Sequence, residues 1–198
     1  MNVVPNNIRL VFISSASYLA ALGGWGGADN TCQALADSVS LGGAWKAWIS
    51  DSNTSVASRF YKSPVPYKTV SGNTIANNWT DLTDGTLASP INVNESGGSS
   101  GNASVWTNTT TNGSIYYPFS GNTCSNWTQP NPFQSAEYGL SSQTNGNWTS
   151  SANGTCAPLR ALYCFEQISY PSSPQNLSAT AASGQATLNW QAPSPDGG

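Results

Sequence analysis

Apolar and polar residues alternate in only a few stretches of this chain, and those stretches predict its strands. Ile8 to Ile13 reads as the first strand. Ala28, Cys32, Leu35 and Val39 follow at the i, i+4, i+7, i+11 spacing of one helical face. Asp29 is placed to complement the helix dipole and Gly42-Gly43 to end the helix, so Cys32 is expected to face inward. In Ala44 to Asp51, Trp45, Ala47 and Ile49 alternate with Lys46, Trp48 and Ser50, the period of a half-buried strand. The last strand of the main domain spans Arg160 to Gln167, with Ala161, Tyr163 and Phe165 on one face and Leu162 and Cys164 on the other.

Between Ser52 and Thr155 the apolar spacing shortens and turns dominate. Short strand-like pieces are expected at Tyr67 to Val70, Val105 to Thr107, Ile115 to Tyr117 and Trp127-Thr128, separated by Gly-Asn, Asp-Gly and Asn-Gly turns. No long helix fits this region. The recurrent Asn-Trp-Thr at Asn78, Asn126 and Asn147 has unequal intervals and is read as local composition, not as a repeat. Past Ile168 a Pro/Ser linker begins at Pro171, and Gln185 to Gln191 alternates as a strand ending at Trp190.

Composition turns this pattern toward function. The 198 residues carry four cysteines, eight tryptophans and no histidine. Without imidazole there is no Ser-His-Asp triad, Cys-His pair or histidine metal site. Few charges and abundant Asn, Ser, Thr and Gly fit a loop-rich exported β protein. Six cations against nine acids, a net charge of −3, leave no basic stripe for nucleic acid. No apolar run approaches the roughly 20 residues that span a bilayer. Leu10 to Leu22 is interrupted by Ser14, Ser15 and Ser17, so it reads as a strand and not as a signal peptide, and export is expected to be specified upstream or by another route.

Four cysteines allow three pairings, and spacing does not choose among them. Cys32 on a buried helix face and Cys164 on a terminal strand are natural partners, which leaves Cys124 and Cys156. In the chain-entropy account, each such bridge contributes on the order of 3 to 5 kcal/mol. A redox role for Cys124 and Cys156 is disfavoured, since no Cys-x-x-Cys spacing or adjoining cation is present.

A series of ordered blocks then resembles the endostatin-like domain of bacterial surface proteins, of which the leptospiral endostatin-like lipoproteins are members. They are Val11 to Ser14, Leu22-Gly-Gly-Trp-Gly-Gly-Ala-Asp29, Cys32-Gln33, Trp45-Lys-Ala-Trp-Ile-Ser-Asp51, Asn78-Trp-Thr-Asp-Leu-Thr-Asp-Gly85, Pro90-Ile91, Val105-Trp-Thr107, Cys124-Ser-Asn-Trp-Thr128 and Leu162-Tyr-Cys-Phe-Glu166. The resemblance implies a C-type-lectin-like α+β fold over residues 1–168. It also implies nested disulfides, Cys32 with Cys164 and Cys124 with Cys156, in a surface or secreted binding protein. The chain departs from the sugar-binding lectins: Gln129-Pro130-Asn131 follows Cys124 and no Trp-Asn-Asp occurs, so their calcium site is not carried over. Endostatin's histidine zinc site and arginine-rich surface are absent as well. Residues 169–198, through Pro174, Leu177, Ala179, Gly184, Leu188 and Trp190, resemble a linker and the first strands of a fibronectin type III domain. So truncated a sandwich cannot bury its own core and is expected to be a weakly docked tail.

Candidate chemistry is sparse. Asp81, Asp84 and Glu95, with Asn77 and Asn78, offer oxygen ligands for calcium, but Leu82 breaks the EF-hand pattern and Asp-Gly turn chemistry accounts for these residues. A glycosidase would need two of these carboxylates facing across a cleft. Trp45 and Trp106 are expected in the core; Trp48, Trp79, Trp127 and Trp148, flanked by polar residues, are the indoles available to stack on a sugar if exposed. The expected function is a non-enzymatic, cofactor-free extracellular binding module, monomeric within a larger chain, whose loops meet a protein or glycan. The alternative is a carbohydrate-binding module that delivers an attached enzyme to a polysaccharide.

Overall fold

The computed structural model describes residues 7–168 and 175–191. It is an α+β protein of small sheets, few helices and long loops, cross-linked by two disulfides. The first elements are strand β1 (Arg9–Ile13), helix α1 (Gly24–Ser38), β2 (Ala44–Ala47), the single-turn helix α2 (Val56–Arg59), β3 (Tyr67–Thr69), β4 (Thr74–Ala76) and the single-turn helix α3 (Trp79–Leu82). They are followed by β5 (Ser104–Trp106), β6 (Ser135–Leu140), β7 (Ala152–Thr155) and β8 (Tyr163–Gln167).

Five strands form the main sheet in the order β2-β8-β1-β3-β4, with β1 parallel to β3 and the other neighbours antiparallel. A second sheet, β5-β6-β7, is antiparallel and joins the first through a bridge between Val105 and Ala161. Every residue of β8 is buried, which its side-chain alternation makes possible. Ala161, Tyr163 and Phe165 enter a core with Val11, Ile13, Trp48, Ile75 and Trp148. Leu162 and Cys164 enter another with Phe12, Ala28, Cys32, Trp45, Trp106 and Trp127. The two faces read from the sequence are therefore the walls of two separate cores.

Both expected disulfides are present, Cys32–Cys164 and Cys124–Cys156, with Cα separations of 5.4 and 5.6 Å. Helix α1 buries Ala28, Cys32 and Ala36 over β2 and β8, while Leu35 is only partly covered. It ends at Ser38, before Gly42-Gly43, and those two glycines instead take positive φ on the approach to β2. Asp29 is not in the first turn, so it does not serve the dipole; its carboxylate binds Arg59 at 2.8 Å and accepts the Ala47 amide at 2.9 Å. Gly27 is obligatory for another reason: a Cβ there would collide with the Leu22 carbonyl.

Two expected strands do not form. Ile115 makes an isolated bridge to Thr109, and Tyr116-Tyr117 turn against each other edge to face. Trp127 lies in a left-handed turn, Cys124 to Trp127, in which four consecutive residues have φ between 51° and 63°. Such a conformation costs about 1–2 kcal/mol per residue without glycine. It persists because its ends are overdetermined: Cys124 is cross-linked, and the Trp127 indole donates to the Ser50 carbonyl at 2.9 Å. The Trp127 carbonyl in turn accepts the amides of Leu22 and Gly23.

The hairpin of β9 (Gln175–Ala182) and β10 (Gln185–Gln191) follows, antiparallel, with Leu177, Leu188 and Trp190 exposed. The strand read at Gln185 to Gln191 is β10; the linker around Pro171 lies outside the described residues.

Glu137 on β6 is 2% exposed, and Ser150 Oγ donates to it at 3.2 Å. Burial raises its pKa, and the Ser150 bond only partly offsets this. The folded state thus binds that proton more tightly than the unfolded chain. The associated stability is present below the ordinary carboxylate pKa and lost as pH rises through the elevated folded value. Glu137→Gln should unfold at a higher temperature than wild type at pH 7 and at nearly the same temperature at pH 4, as measured by thermal melts across pH.

Candidate functional site

Helix α3 is one turn long, and its start is written in Asn78: an extended backbone with the side chain accepting the Asp81 amide at 3.0 Å. Asp81 returns the constraint, since its Oδ2 accepts the Asn77 amide at 2.6 Å and the Asn77 side chain at 2.8 Å. Asp84 closes the following turn by accepting the amide and hydroxyl of Thr86. One long-range bond, from the Trp79 amide to the Ser63 carbonyl at 2.8 Å, lays the Lys62–Pro64 segment alongside α3.

Two open depressions form a surface groove along α3, and only one of them is flanked by the Lys62–Pro64 segment. One half, about 300 Å³, is lined by Asn77, Asn78, Thr80, Asp81 and Asp84. The other, about 460 Å³, is lined by Lys62, Ser63, Pro64, Asn78, Trp79 and Thr80. Asn78 and Thr80 belong to both. Trp79 is half-buried, its indole 6.0 Å from Trp48 and 6.3 Å from Phe60, so it is backed by the core while its edge reaches the groove. The Lys62 ammonium makes no hydrogen bond or ion pair among the described residues. The carboxylates of Asp81 and Asp84 thus face one half of this open surface, and the Lys62 ammonium and Trp79 indole the other.

Three of the residues expected to meet a ligand, Trp79, Asp81 and Asp84, are brought together here. The other three are corrected. Trp48, Trp127 and Trp148 are fully buried, so no sugar can stack on them. Thr149 beside Trp148 misled because its side chain satisfies a buried group: Trp48 Nε1 donates to Thr149 Oγ1 at 2.7 Å. Glu95 is also elsewhere; it is buried and accepts the amide and hydroxyl of Ser15. Among the described residues no three Cys, Asp or Glu side chains converge as a cation cage.

The Lys62–Pro64 wall was not legible in the sequence, since it is brought to α3 by long-range contacts of Trp79 with Ser63 and Phe60. Trp25 was also missed; it is exposed and lies 4.9 Å from the Arg59 guanidinium. No family model matches this sequence, and no curated protein matches it significantly.

Asn78 is both cap and wall. Asn78→Ala should lower stability to chemical denaturation by about 1 kcal/mol through loss of the cap, a cost that Asn78→Ser should largely avoid.

Proposed function

We propose that this chain is a non-enzymatic extracellular binding module of C-type-lectin-like, endostatin-like architecture, which engages a protein or glycan through the α3 groove. The groove is the observation that carries the reading: it pairs hydrogen-bonding side chains with an indole edge on a core-backed turn. Asp81 and Asp84 each commit an oxygen to local turn bonds, which suits recognition better than proton transfer. The two disulfides support an oxidising, extracellular setting. In this reading residues 1–168 are the binding domain and residues 169–198 begin a fibronectin type III domain. The exposed Leu177, Leu188 and Trp190 on the hairpin are apolar groups that further strands would cover.

Trp79 also favours a second reading, a carbohydrate-binding module for an attached enzyme. A flat platform of several coplanar indoles would strengthen it, but Trp25 and Trp79 are the main-domain tryptophans that reach the surface among the described residues.

Thr80 is exposed and lines both halves of the groove, so Thr80→Arg fills it without touching the core. Wild-type protein should bind saturably to members of an extracellular-protein panel or a glycan array, and Thr80→Arg should lose that binding while melting normally. Equal binding by both proteins, or no binding by wild type on either panel, would sink the proposal.

A further inference from the structure

Arg160 is the only Lys or Arg after Lys68 in the sequence. Its backbone is pinned by a reciprocal pair of bonds with Tyr18, at 3.0 and 2.7 Å. Its side chain crosses the face of the β5-β6-β7 sheet. The guanidinium carbon sits 3.8 Å from the Tyr138 ring centre and 4.7 Å from that of Trp106, and Nη1 donates to Ser104 Oγ at 2.9 Å. Two aromatic rings and a hydroxyl therefore fix both its plane and its rotation.

Arg59 provides an internal control. It too stacks on aromatic rings, Trp25 and Phe60, yet its terminal nitrogens are consumed within the protein. Nη1 binds both oxygens of Asp29, and Nη2 donates to the carbonyls of Ala47 and Ile49. That pair is the single ion pair among the described residues. Arg160 has the same aromatic mounting and, among the described residues, no carboxylate partner. Its Nη2 makes no hydrogen bond among the described residues and is not among the polar atoms sealed from solvent.

Space is kept clear at that nitrogen as well. A Cβ on Gly154 would lie 2.5 Å from Nη2, so any side chain on β7 at this position would displace it. Burial pulls the Arg160 pKa down from its ordinary value, but a guanidinium stays charged at neutral pH. A rigid, partly desolvated, uncompensated cation has already met the ordering cost of ion pairing and lacks only its anion.

We propose that Arg160 is a receptor for one carboxylate group of a ligand, bound through the open Nη2 edge. The charge count selects the class. No second cation stands on β5, β6 or β7, so a singly charged planar carboxylate is matched where a dianion would be left half-compensated. This site shares no residue with the α3 groove.

The probe is acetate, followed through the guanidinium resonances of Arg160 in ¹⁵N-labelled protein and compared with chloride at equal ionic strength. Acetate should shift these resonances saturably while chloride does not. Arg160→Lys, read through the amides of Ser104 and Gly154, should lose the saturable response. Gly154→Ala, which keeps the charge but crowds Nη2, should lose it also and remains available if Arg160→Lys fails to fold. Equal responses to acetate and chloride, tighter binding of sulfate than acetate, or an undiminished response in Gly154→Ala would each overturn the assignment.

Discussion

Strand β8 is the constraint on which the rest of the molecule depends, because it is the shared wall of two cores. Its edges are hydrogen-bonded to β1 and β2, and both of its faces are dry. Tyr163 and Phe165 pack into a group containing Trp48 and Trp148, while Cys164 fastens helix α1 to the opposite face through Cys32. Polar residues at its end must then be satisfied internally: Glu166 accepts the Leu10 amide at 2.8 Å, and Gln167 accepts that of Tyr61 at 2.9 Å. A change at β8 is felt in both cores at once.

Away from β8, regular backbone pairing is scarce, and hydroxyl groups take its place. Trp48 Nε1 donates to Thr149 Oγ1, which donates to the Thr109 carbonyl; Thr109 Oγ1 lies 2.9 Å from Ser50 Oγ and donates to the Thr107 carbonyl. Thr107 Oγ1 completes the chain by donating to the Thr149 carbonyl at 2.6 Å. All of these residues are buried. The Ser/Thr-rich composition is thus partly an interior material, in which side chains satisfy carbonyls that a longer sheet would have paired. The same economy explains the left-handed turn at Cys124: one cross-link and several directed hydrogen bonds hold a backbone conformation that local propensity opposes.

Periodicity made the outer frame legible. The two faces read for Ala161 to Phe165 fall in separate cores, and the helical spacing of Ala28 and Cys32 correctly turned the first cysteine inward. Reading stopped where side chains of distant segments, not local pattern, set the conformation. Polar flanks around Trp127 and Trp148 suggested surface, yet the indoles are buried, with Asn126 and Thr149 bonded to other segments while Thr128 and Asn147 stay exposed. Strand β6 escaped notice because Ser135 to Leu140 contains Gly139, where a Cβ would collide with the Trp148 carbonyl, and this close approach has no signature in one sequence. Of the groove, Trp79 was legible as a candidate surface indole and Asp81 and Asp84 as turn carboxylates; the Asn78 cap and the Lys62–Pro64 wall were not.

Both proposed recognition surfaces are mounted on this frame. The α3 groove is backed by Trp48 and Phe60, and Arg160 immediately precedes the Ala161 bridge that leads into β8. Native-state hydrogen exchange tests the dependence most directly. The β8 amides should exchange most slowly, only through global unfolding. They should keep that rank when Cys124 and Cys156 are replaced by Ser, and lose it when Cys32 and Cys164 are. Faster exchange in β8 than in β6, or β8 protection untouched by loss of the Cys32–Cys164 bridge, would contradict the account.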